Sequence, residues 1–366
     1  MKDTHYKIVS SIGNISKDDF QNCVKDVAEG YDFFRTLEAS RLEGFVYFYL
    51  LVYQQTDLVL LAPLFTFDFD LTVGLEKISR NIVKHLRPLW PRLLNIKTLF
   101  CGTSFGEYGF IGIRTPSLPY NILFDELLRG LEDICRQQKI PLVCFKDFLE
   151  KDMALLARSK NHEFFQTDSF PSVIVDLPFA SMDAYLASLS RNTRKDLKRK
   201  IKKAKESGSF TVKVVSSAEA VIDDIYPLYL NTYRTGTTKF EKLTKEFFLT
   251  ASRLMPSKIF LYYCNNQLAA FNFCLIYKDT LIDKFIGMDY GLTEQFPLYF
   301  LSWLYNIEWC LNNGIKHYQV GQTDHGPKIR LGGHKIPLYV YLKHRNPLLN
   351  RVFDIAAKVL QPDYLK

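Results

Sequence analysis

The chain carries GFIGI at residues 109–113 and KFIGM at residues 284–288, a spacing of 175. The same spacing aligns further identical residues without a gap, namely Leu123 with Leu298, Cys135 with Cys310, and Ile140 with Ile315. Both copies show the pattern of a strand, a proline-containing loop, an amphipathic helix of about fifteen residues and a second strand. A fixed spacing of this kind indicates an internal repeat.

A hairpin pattern precedes each copy. Residues 43–67 and 257–277 each contain a β-rich run, a short polar turn and a second β-rich run, as an antiparallel hairpin does. A helix with a Phe-Phe pair, at 33–34 and 247–248, comes before each hairpin. We therefore predict an α/β fold of two tandem domains, each a mixed β-sheet flanked by helices.

The repeat also sets the predicted domain boundaries. The first domain is predicted at 1–178 and the second at 209–345. A basic linking helix at 179–208 joins them, and an amphipathic helix at 346–366, expected to pack on the body of the protein, follows.

The linking segment includes SRNTRKDLKRKIKKAKESG (190–208), with nine Lys or Arg against one Asp and one Glu. Gly208 suits a helix C-cap. Apolar or small residues recur every three or four positions, at Leu186, Leu189, Thr193, Leu197, Ile201 and Ala204. Three interpretations stay open: a helix docked by one face, a phosphate-contacting helix, or a membrane-surface helix. No aromatic residue is interleaved with the charges, which disfavours an RNA arm that stacks bases.

Composition narrows the class of protein. With 47% hydrophobic and 23% charged residues and a net charge of +8, the chain is globular with local basicity. The longest apolar run (45–53) is too short to span a bilayer, and the first residues lack a signal-peptide pattern. Seven scattered cysteines without CxxC predict reduced, buried thiols. We expect a cytoplasmic protein with no metal site and no stable membrane insertion; its oligomeric state stays open.

The duplicated order with a basic joining helix resembles the tandem acyltransferases of the GNAT superfamily, in particular the FemAB-like, peptidoglycan-biosynthesis-like N-acyltransferases. The segments that carry the likeness are Asn192-Thr193-Arg194 with Arg199 and Gly208, residues 231–248, residues 296–322, and GPKIRLGGH at 326–334. The chain departs from the family's sequence pattern at two places. Pro327 and Leu331 occupy the aromatic positions of the family's Phe-Lys-x-x-Phe-Gly loop, and LTEQF (292–296) stands where the usual GNAT phosphate loop would be.

The resemblance implies transfer of an acyl group from an acyl-CoA thioester or an aminoacyl-tRNA to an amine. It implies no permanently bound cofactor, acyl-CoA as the co-substrate, and a small-molecule or peptide-like amine as acceptor, with tRNA as a further partner to test. The second domain is the expected donor-binding domain.

Candidate site residues follow from the resemblance and from the chemistry that acyl transfer needs. Asp289 and Tyr290 are candidates to accept or relay the proton of the amine, although Asp289 also suits a turn before Gly291. Lys328 is the candidate to neutralise an oxyanion or phosphate, although it also suits a solvated basic loop. The donor or phosphate set is Arg194, Arg199, Lys328, Arg330 and Gly332, and the acceptor set is Thr232 and Arg234.

Two other functions stay open. A catalytically degenerate GNAT-like protein could bind RNA or anionic lipid through its basic helix. Alternatively, GTSFG (102–106) matches the G-x-S-x-G of serine hydrolases, with partners to check at Asp125, Asp133 and His162. A strand rather than a helix is predicted after Ser104, which favours a turn serine.

Overall fold

The computed structural model describes residues 4–71, 85, 95–114, 118–156, 162–236 and 241–359. The chain forms two compact units. The first unit comprises Met1–Phe170 and Pro337–Lys366, and the second comprises Pro171–Ile336. Each is an α/β unit with a mixed sheet flanked by helices, so the predicted fold class is confirmed.

The first unit is built on a mixed sheet in the order β1-β2-β3-β4-β6-β15-β7, with β5 also paired to β3. Its strands are β1 (Thr4–Val9), β2 (Val46–Gln54), β3 (Asp57–Asp70), β4 (Asn95–Cys101), β5 (Gly112–Ile113), β6 (Leu142–Phe148), β7 (Phe165–Asp168) and β15 (Tyr339–His344). Its helices are α1 (Lys17–Cys23), α2 (Tyr31–Ser40), α3 (Tyr120–Gln137), α4 (Met153–Leu156) and α11 (Pro347–Val359).

The second unit has a mixed sheet in the order β14-β8-β13-β12-β11-β10-β9. Its strands are β8 (Ser172–Asp176), β9 (Phe210–Val215), β10 (Ser257–Cys264), β11 (Gln267–Tyr277), β12 (Thr280–Met288), β13 (His317–Gln319) and β14 (His334–Ile336). Its helices are α5 (Met182–Ser188), α6 (Arg191–Ser207), α7 (Ile222–Thr235), α8 (Lys245–Leu254), α9 (Leu298–Asn312) and α10 (His325–Arg330).

The last strand of each repeat belongs to the sheet of the other repeat. Strand β8 pairs with β13 and β14, whereas β15 pairs with β6 and β7. The predicted boundaries at 178 and 345 therefore differ from the units, which change at 170/171 and 336/337. A short apolar run shows that a strand forms but not which sheet supplies its hydrogen-bonding partners.

The predicted linking helix lies within the second unit and is broken in two. Helix α5 ends before Leu189, and Ser190 caps α6 by accepting a hydrogen bond from the Thr193 amide at 3.2 Å. Thr193, Leu197 and Ala204 are buried as the stripe predicts, and Gly208 is the C-cap with φ +138°. The helix is therefore docked by one face, while most of its basic residues lie on the other faces.

The two sheets differ at the position of β12. In the second unit β12 runs beside β11 with one extra residue, Lys284, opposite the Phe273/Cys274 step. In the first unit the equivalent neighbour of β3 is divided into two strands, β4 and β5, which both pair with β3. The loop 102–111 lies between them. A one-residue bulge in one copy thus corresponds to a loop in the other. The strand predicted at 109–113 is reduced to Gly112–Ile113.

The shared glycine of the two Phe-Ile-Gly stretches has a common packing cause. A Cβ on Gly287 would lie 2.6 Å from the Tyr229 amide nitrogen of α7, and one on Gly112 would lie 2.6 Å from Val24 Cγ2, beside α1. Helix and strand approach too closely in each copy for any larger residue. The glycine that the two copies share is therefore explained by close packing of a helix against the sheet.

The seven cysteines all fall in the described residues, where they are buried and unpaired, as predicted. Among the helices described, none combines the length and apolarity that crossing a membrane would require. Within the described residues no group of three or more His, Cys, Asp or Glu is arranged to hold a metal ion.

Replacing Gly287 by alanine should lower the free energy of unfolding by about 1–3 kcal/mol, because backbone of α7 stands in the way of the new methyl group. The measurement is urea unfolding of the purified full chain. Gly326→Ala is the matched control in the same unit, since its Cβ would meet nothing within 4 Å. Equal stability of the two variants would contradict the close-packing explanation.

Candidate functional site

Strands β12 and β13 part at the centre of the second sheet. They pair in parallel only at Thr280–Ile282 and His317–Gln319. Beyond Ile282, β12 remains paired with β11, while Val320 continues along β8 through a 2.9 Å bond from its amide to the Val173 carbonyl. Within the described residues no backbone pairing joins 283–288 to 320–321. We call the space between these two segments the gap; the Lys284 bulge lies at its start.

Asp283 lies where the two strands separate, and both neighbouring strands donate hydrogen bonds to it. Its carboxylate accepts from Tyr318 Oη on β13 at 2.7 Å and from Asn272 Nδ2 on β11 at 2.8 and 2.9 Å. The network continues under α9, where Asn306 donates to Tyr318 at 2.9 Å and accepts from Tyr262. Desolvation raises the pKa of Asp283, partly opposed by these hydrogen bonds.

Lys328 lies beside the gap. Its side chain is buried, with 7% of its surface exposed, and its Nζ donates to the Val320 carbonyl at the edge of the gap. Its charge acts to lower the Asp283 pKa against the larger effect of desolvation. Lys328 therefore does not lie in a solvated loop as one interpretation had it. It lies on helix α10 and places a buried ammonium group beside the gap.

Tyr299, in the first turn of α9, adds a buried hydroxyl to this region. Within the described residues its Oη has no hydrogen-bond partner. Desolvation, with the charges of Asp324 and Asp283, raises the pKa of Tyr299. An unsatisfied buried hydroxyl is costly, so this is a position where a ligand oxygen or nitrogen would gain a strong hydrogen bond.

A second cluster of charges joins α6 to α10. Asp196 accepts from Arg199 at 2.8 Å, from Arg330 at 3.2 Å and from Lys200. The Lys200 and Arg199 hydrogen bonds lower the pKa of Asp196 to about 2. Lys200 Nζ also lies 4.0 Å from the centroid of the Phe300 ring. Three cations around one carboxylate thus flank the first turn of α9.

Two more of the predicted donor residues have structural roles. Arg194 donates to the Ala187 carbonyl at 2.9 Å and to the Leu189 carbonyl, so it closes the break between α5 and α6. Gly332 has φ +91°, a conformation that favours glycine. The structure thus brings Arg199 and Arg330 together, while Arg194 is bonded to backbone.

The predicted proton-transfer and acceptor residues meet at the far end of β12. Tyr290 Oη lies 3.4 Å from Thr232 Oγ1 on α7, and Arg234 is exposed on the same helix. Asp289 accepts the Gly291 amide at 2.9 Å, as the turn interpretation expects. At about 3.3 Å per residue, Asp289 is roughly 20 Å along the strand from Asp283. These residues are therefore not grouped with Lys328.

The corresponding place in the first unit is closed. Gly109, in the loop 102–111, forms a parallel bridge to Phe148 of β6, and its amide donates to the Asp147 carbonyl at 2.8 Å. The loop thereby spans the position that is open in the second unit. The contrast favours the second unit as the site of ligand binding.

The GTSFG sequence does not form a nucleophile elbow. Ser104 is 1% exposed, no helix follows it, and its Oγ has no hydrogen-bond partner within the described residues. His162 instead lies 3.7 Å from Asp125, and Asp133 bonds Tyr6 and Arg136. This arrangement lacks the accessible serine and serine–base contact that a hydrolase requires.

Asp283 was not among the residues predicted from the sequence. Its signal was a single acid inside the apolar strand TLIDKFIGM (280–288), where a half-buried carboxylate needs dedicated partners. Those partners, Asn272 and Tyr318, come from two other strands. Only the folded sheet shows that the three side chains converge.

Comparison with known proteins identifies a family and several structures with a similar fold. The FemAB-like family, described as acting in peptidoglycan biosynthesis or recognition, matches residues 114–339. No curated protein matches the sequence.

Several solved structures share the fold. FemX matches with a TM-score of 0.57 at 10% identity, covering 95% of this chain and 100% of that one. A tandem GNAT protein from the clavulanic acid biosynthesis pathway matches with a TM-score of 0.57 at 10% identity, over 94% and 99%. The C-terminal domain of a protein assigned as a lysylphosphatidylglycerol synthetase in Agrobacterium fabrum matches with a TM-score of 0.54 at 11% identity, over 94% and 98%. The predicted tandem GNAT architecture is confirmed.

Replacing Asp196 by asparagine should cost about 2 kcal/mol of unfolding free energy at pH 7, because a shift of one pKa unit corresponds to about 1.4 kcal/mol. A lowered pKa stabilises the fold above the ordinary carboxyl pKa, and the contribution is lost as pH falls toward about 2. The difference between wild type and Asp196→Asn should therefore shrink between pH 5 and pH 2.

The control for this measurement is Glu219→Gln. Glu219 lies 3.9 Å from Arg253, and both side chains are more than half exposed, so the change should be within about 0.5 kcal/mol. Urea unfolding at several pH values measures both variants. A pH-independent difference for Asp196→Asn would show that its charge is not what stabilises α6.

Proposed function

The chain belongs to the FemAB-like family, and from that premise we propose that its second unit transfers an acyl group from an acyl-CoA thioester or an aminoacyl-tRNA ester to an amine. The family and the tandem GNAT fold point to acyl or aminoacyl transfer as the class of reaction. The observation that carries the proposal further is the gap, with Asp283 and Lys328 placed at its start.

The gap supplies what an acyl donor needs. The segment 283–288 is paired with β11 on one side, so its other edge offers backbone groups along which an extended donor can lie. Lys328 is the group we assign to the carbonyl oxygen of the donor. Negative charge develops there in the transition state, and a buried cation stabilises it strongly.

Asp283 is the group we assign to the proton of the amine. The amine nitrogen attacks the carbonyl carbon and a C–N bond forms. The C–S bond of a thioester, or the C–O bond of an aminoacyl ester, then breaks. One amine proton passes to the Asp283 carboxylate, which then returns it to the leaving thiolate or ribose oxygen. A raised carboxyl pKa brings the base closer to the operating pH.

The cations beside α9 are suited to the phosphates of either donor. Arg199 and Arg330 surround Asp196 next to the first turn of a helix whose N-terminus lacks a side-chain cap, and helix N-termini attract anions. Relatives of this fold are named in connection with acetyl-CoA and with lysylphosphatidylglycerol, so the fold alone does not select the donor. We retain acyl-CoA as the proposed co-substrate, without a permanently bound cofactor.

The acceptor is proposed to enter at the far end of β12, where Tyr290 contacts Thr232 of α7, the helix that also carries Arg234. Of these, Tyr290 is 42% exposed and contacts Thr232. A small-molecule or peptide-like amine would reach the gap from this side, past Asp289 and Tyr290, which at roughly 20 Å along the strand do not contact Asp283.

Asp283→Asn should lower the rate of transfer by about 10²–10⁴-fold, the usual contribution of a general base, while donor affinity stays near that of the wild type. Single-turnover assays with labelled acyl-CoAs and aminoacyl-tRNAs and a panel of amines measure this. Asp289→Asn is the comparison: a large loss there with none at Asp283 would move the proton-accepting role to the end of the strand.

The pH dependence separates the two carboxylates further. Asp283 must be ionised to accept a proton, and its pKa is raised above the usual carboxyl value. The acid limb of kcat/KM should therefore lie at higher pH than for an ordinary Asp and disappear in Asp283→Asn. An unchanged acid limb in that variant would contradict the assignment.

Donor binding is tested by thermal unfolding with CoA, acetyl-CoA, longer acyl-CoAs and tRNA offered separately. A ligand at 100 times its Kd should stabilise the native state by about 2.7 kcal/mol. Arg199→Gln with Arg330→Gln should reduce the shift, whereas Lys213→Gln, on an exposed position of β9, should not. Binding of tRNA with steep salt dependence and no turnover would favour a degenerate RNA-binding protein.

A further inference from the structure

The C-terminal helix α11 exposes an apolar face. Leu348 is 79% exposed, Val352 56% and Ile355 55%, and Leu349 beside them is 44% exposed. At 3.6 residues per turn, positions 348, 352 and 355 form one continuous stripe. Half of the large apolar side chains that the described residues expose thus fall within eight consecutive positions.

The opposite face holds α11 firmly on the first unit. Phe353 packs edge-on against His344 with ring centroids 5.5 Å apart, and Asn350 Nδ2 donates to the Glu163 carbonyl at 2.8 Å. Asn350 Oδ1 also accepts the His344 amide at 2.8 Å. The expectation that this helix packs on the body of the protein therefore holds for one face, and that packing fixes the outward direction of the stripe.

Cations border the stripe. Arg351 and Lys358 are exposed and lie along one edge of it on the helical wheel, and Arg345 is exposed just before the helix. From residue 343 to 359 the sequence has four Lys or Arg against a single carboxylate, Asp354, which pairs with Lys358. An apolar stripe with a basic edge is typical of helices that lie flat on anionic membranes.

We propose that α11 docks the protein on an anionic lipid surface, with its apolar stripe at the acyl-chain boundary and its cations at the headgroups. A protein partner fits less well. Four side chains offer far less than the about 800 Å² per partner that a specific interface buries, and a second copy would bring the same cationic edge. This docking is independent of the acyl-transfer reaction and needs neither donor nor acceptor.

The test is co-sedimentation of the full chain with vesicles of phosphatidylcholine alone or mixed equally with phosphatidylglycerol. Binding should occur on the mixed vesicles and weaken with salt. The variant Leu348→Ser with Val352→Ser and Ile355→Ser should bind at least about tenfold more weakly, since each lost apolar side chain removes buried area. Arg351→Gln with Lys358→Gln should weaken binding to mixed vesicles only.

Val46→Ser is the matched control, because Val46 is 52% exposed on β2 of the same unit and should leave vesicle binding unchanged. Leu348→Trp gives a direct readout, since its fluorescence should shift to the blue when mixed vesicles are added. Thermal unfolding without vesicles checks that every variant is folded.

Two results would overturn the proposal. One is a wild-type chain that stays in solution with mixed vesicles, or that binds them equally well after the triple serine substitution. The other is a dimer that dissociates on dilution in analytical ultracentrifugation, is lost in the triple variant and forms without any vesicle binding. That second result would assign the stripe to a second copy of the chain.

Discussion

The hydrogen bond from Tyr318 to Asp283 holds the centre of the second unit together. It joins β13 to β12 at the last point where these strands remain adjacent, while Asn272 fixes the same carboxylate from β11. Beyond it, the extra residue Lys284 redirects β12 and the strands separate. A carboxylate bonded from both sides keeps the point of separation in one place, so a ligand would meet a preformed gap.

The two halves of the repeat form sheets with the same strand order. The sheets differ in how their central strands are joined. The loop 102–111 in the first unit takes the place of a single bulged residue in the second. In the first unit, the bridge between Gly109 and Phe148 closes the position that corresponds to the gap beyond Lys284 in the second unit. A shared ancestry of the two halves therefore does not imply a shared role. Among the described residues, the second unit is the one that presents an edge of backbone beside a buried cation.

The sequence predicted the repeated elements well because hydrophobic periodicity and hairpin turns are local signals. It failed where the answer depended on distant partners. The exchange of β8 and β15 between the sheets moved both domain boundaries. The choice between a site-facing and a solvated Lys328 stayed open in the sequence, because its burial on α10 depends on the folded chain. Asp283 was not predicted because its role depends on hydrogen bonds from Asn272 and Tyr318. These two residues come next to Asp283 only in the folded sheet.

We propose that the second unit binds the acyl donor through the gap. Hydrogen–deuterium exchange of the full chain, with and without a donor that stabilises it against heat, tests this most directly. Amides in 283–290 and in the first turn of α9 should exchange more slowly with the donor bound, with no change in 102–113 of the first unit. Protection confined to the first unit would contradict it.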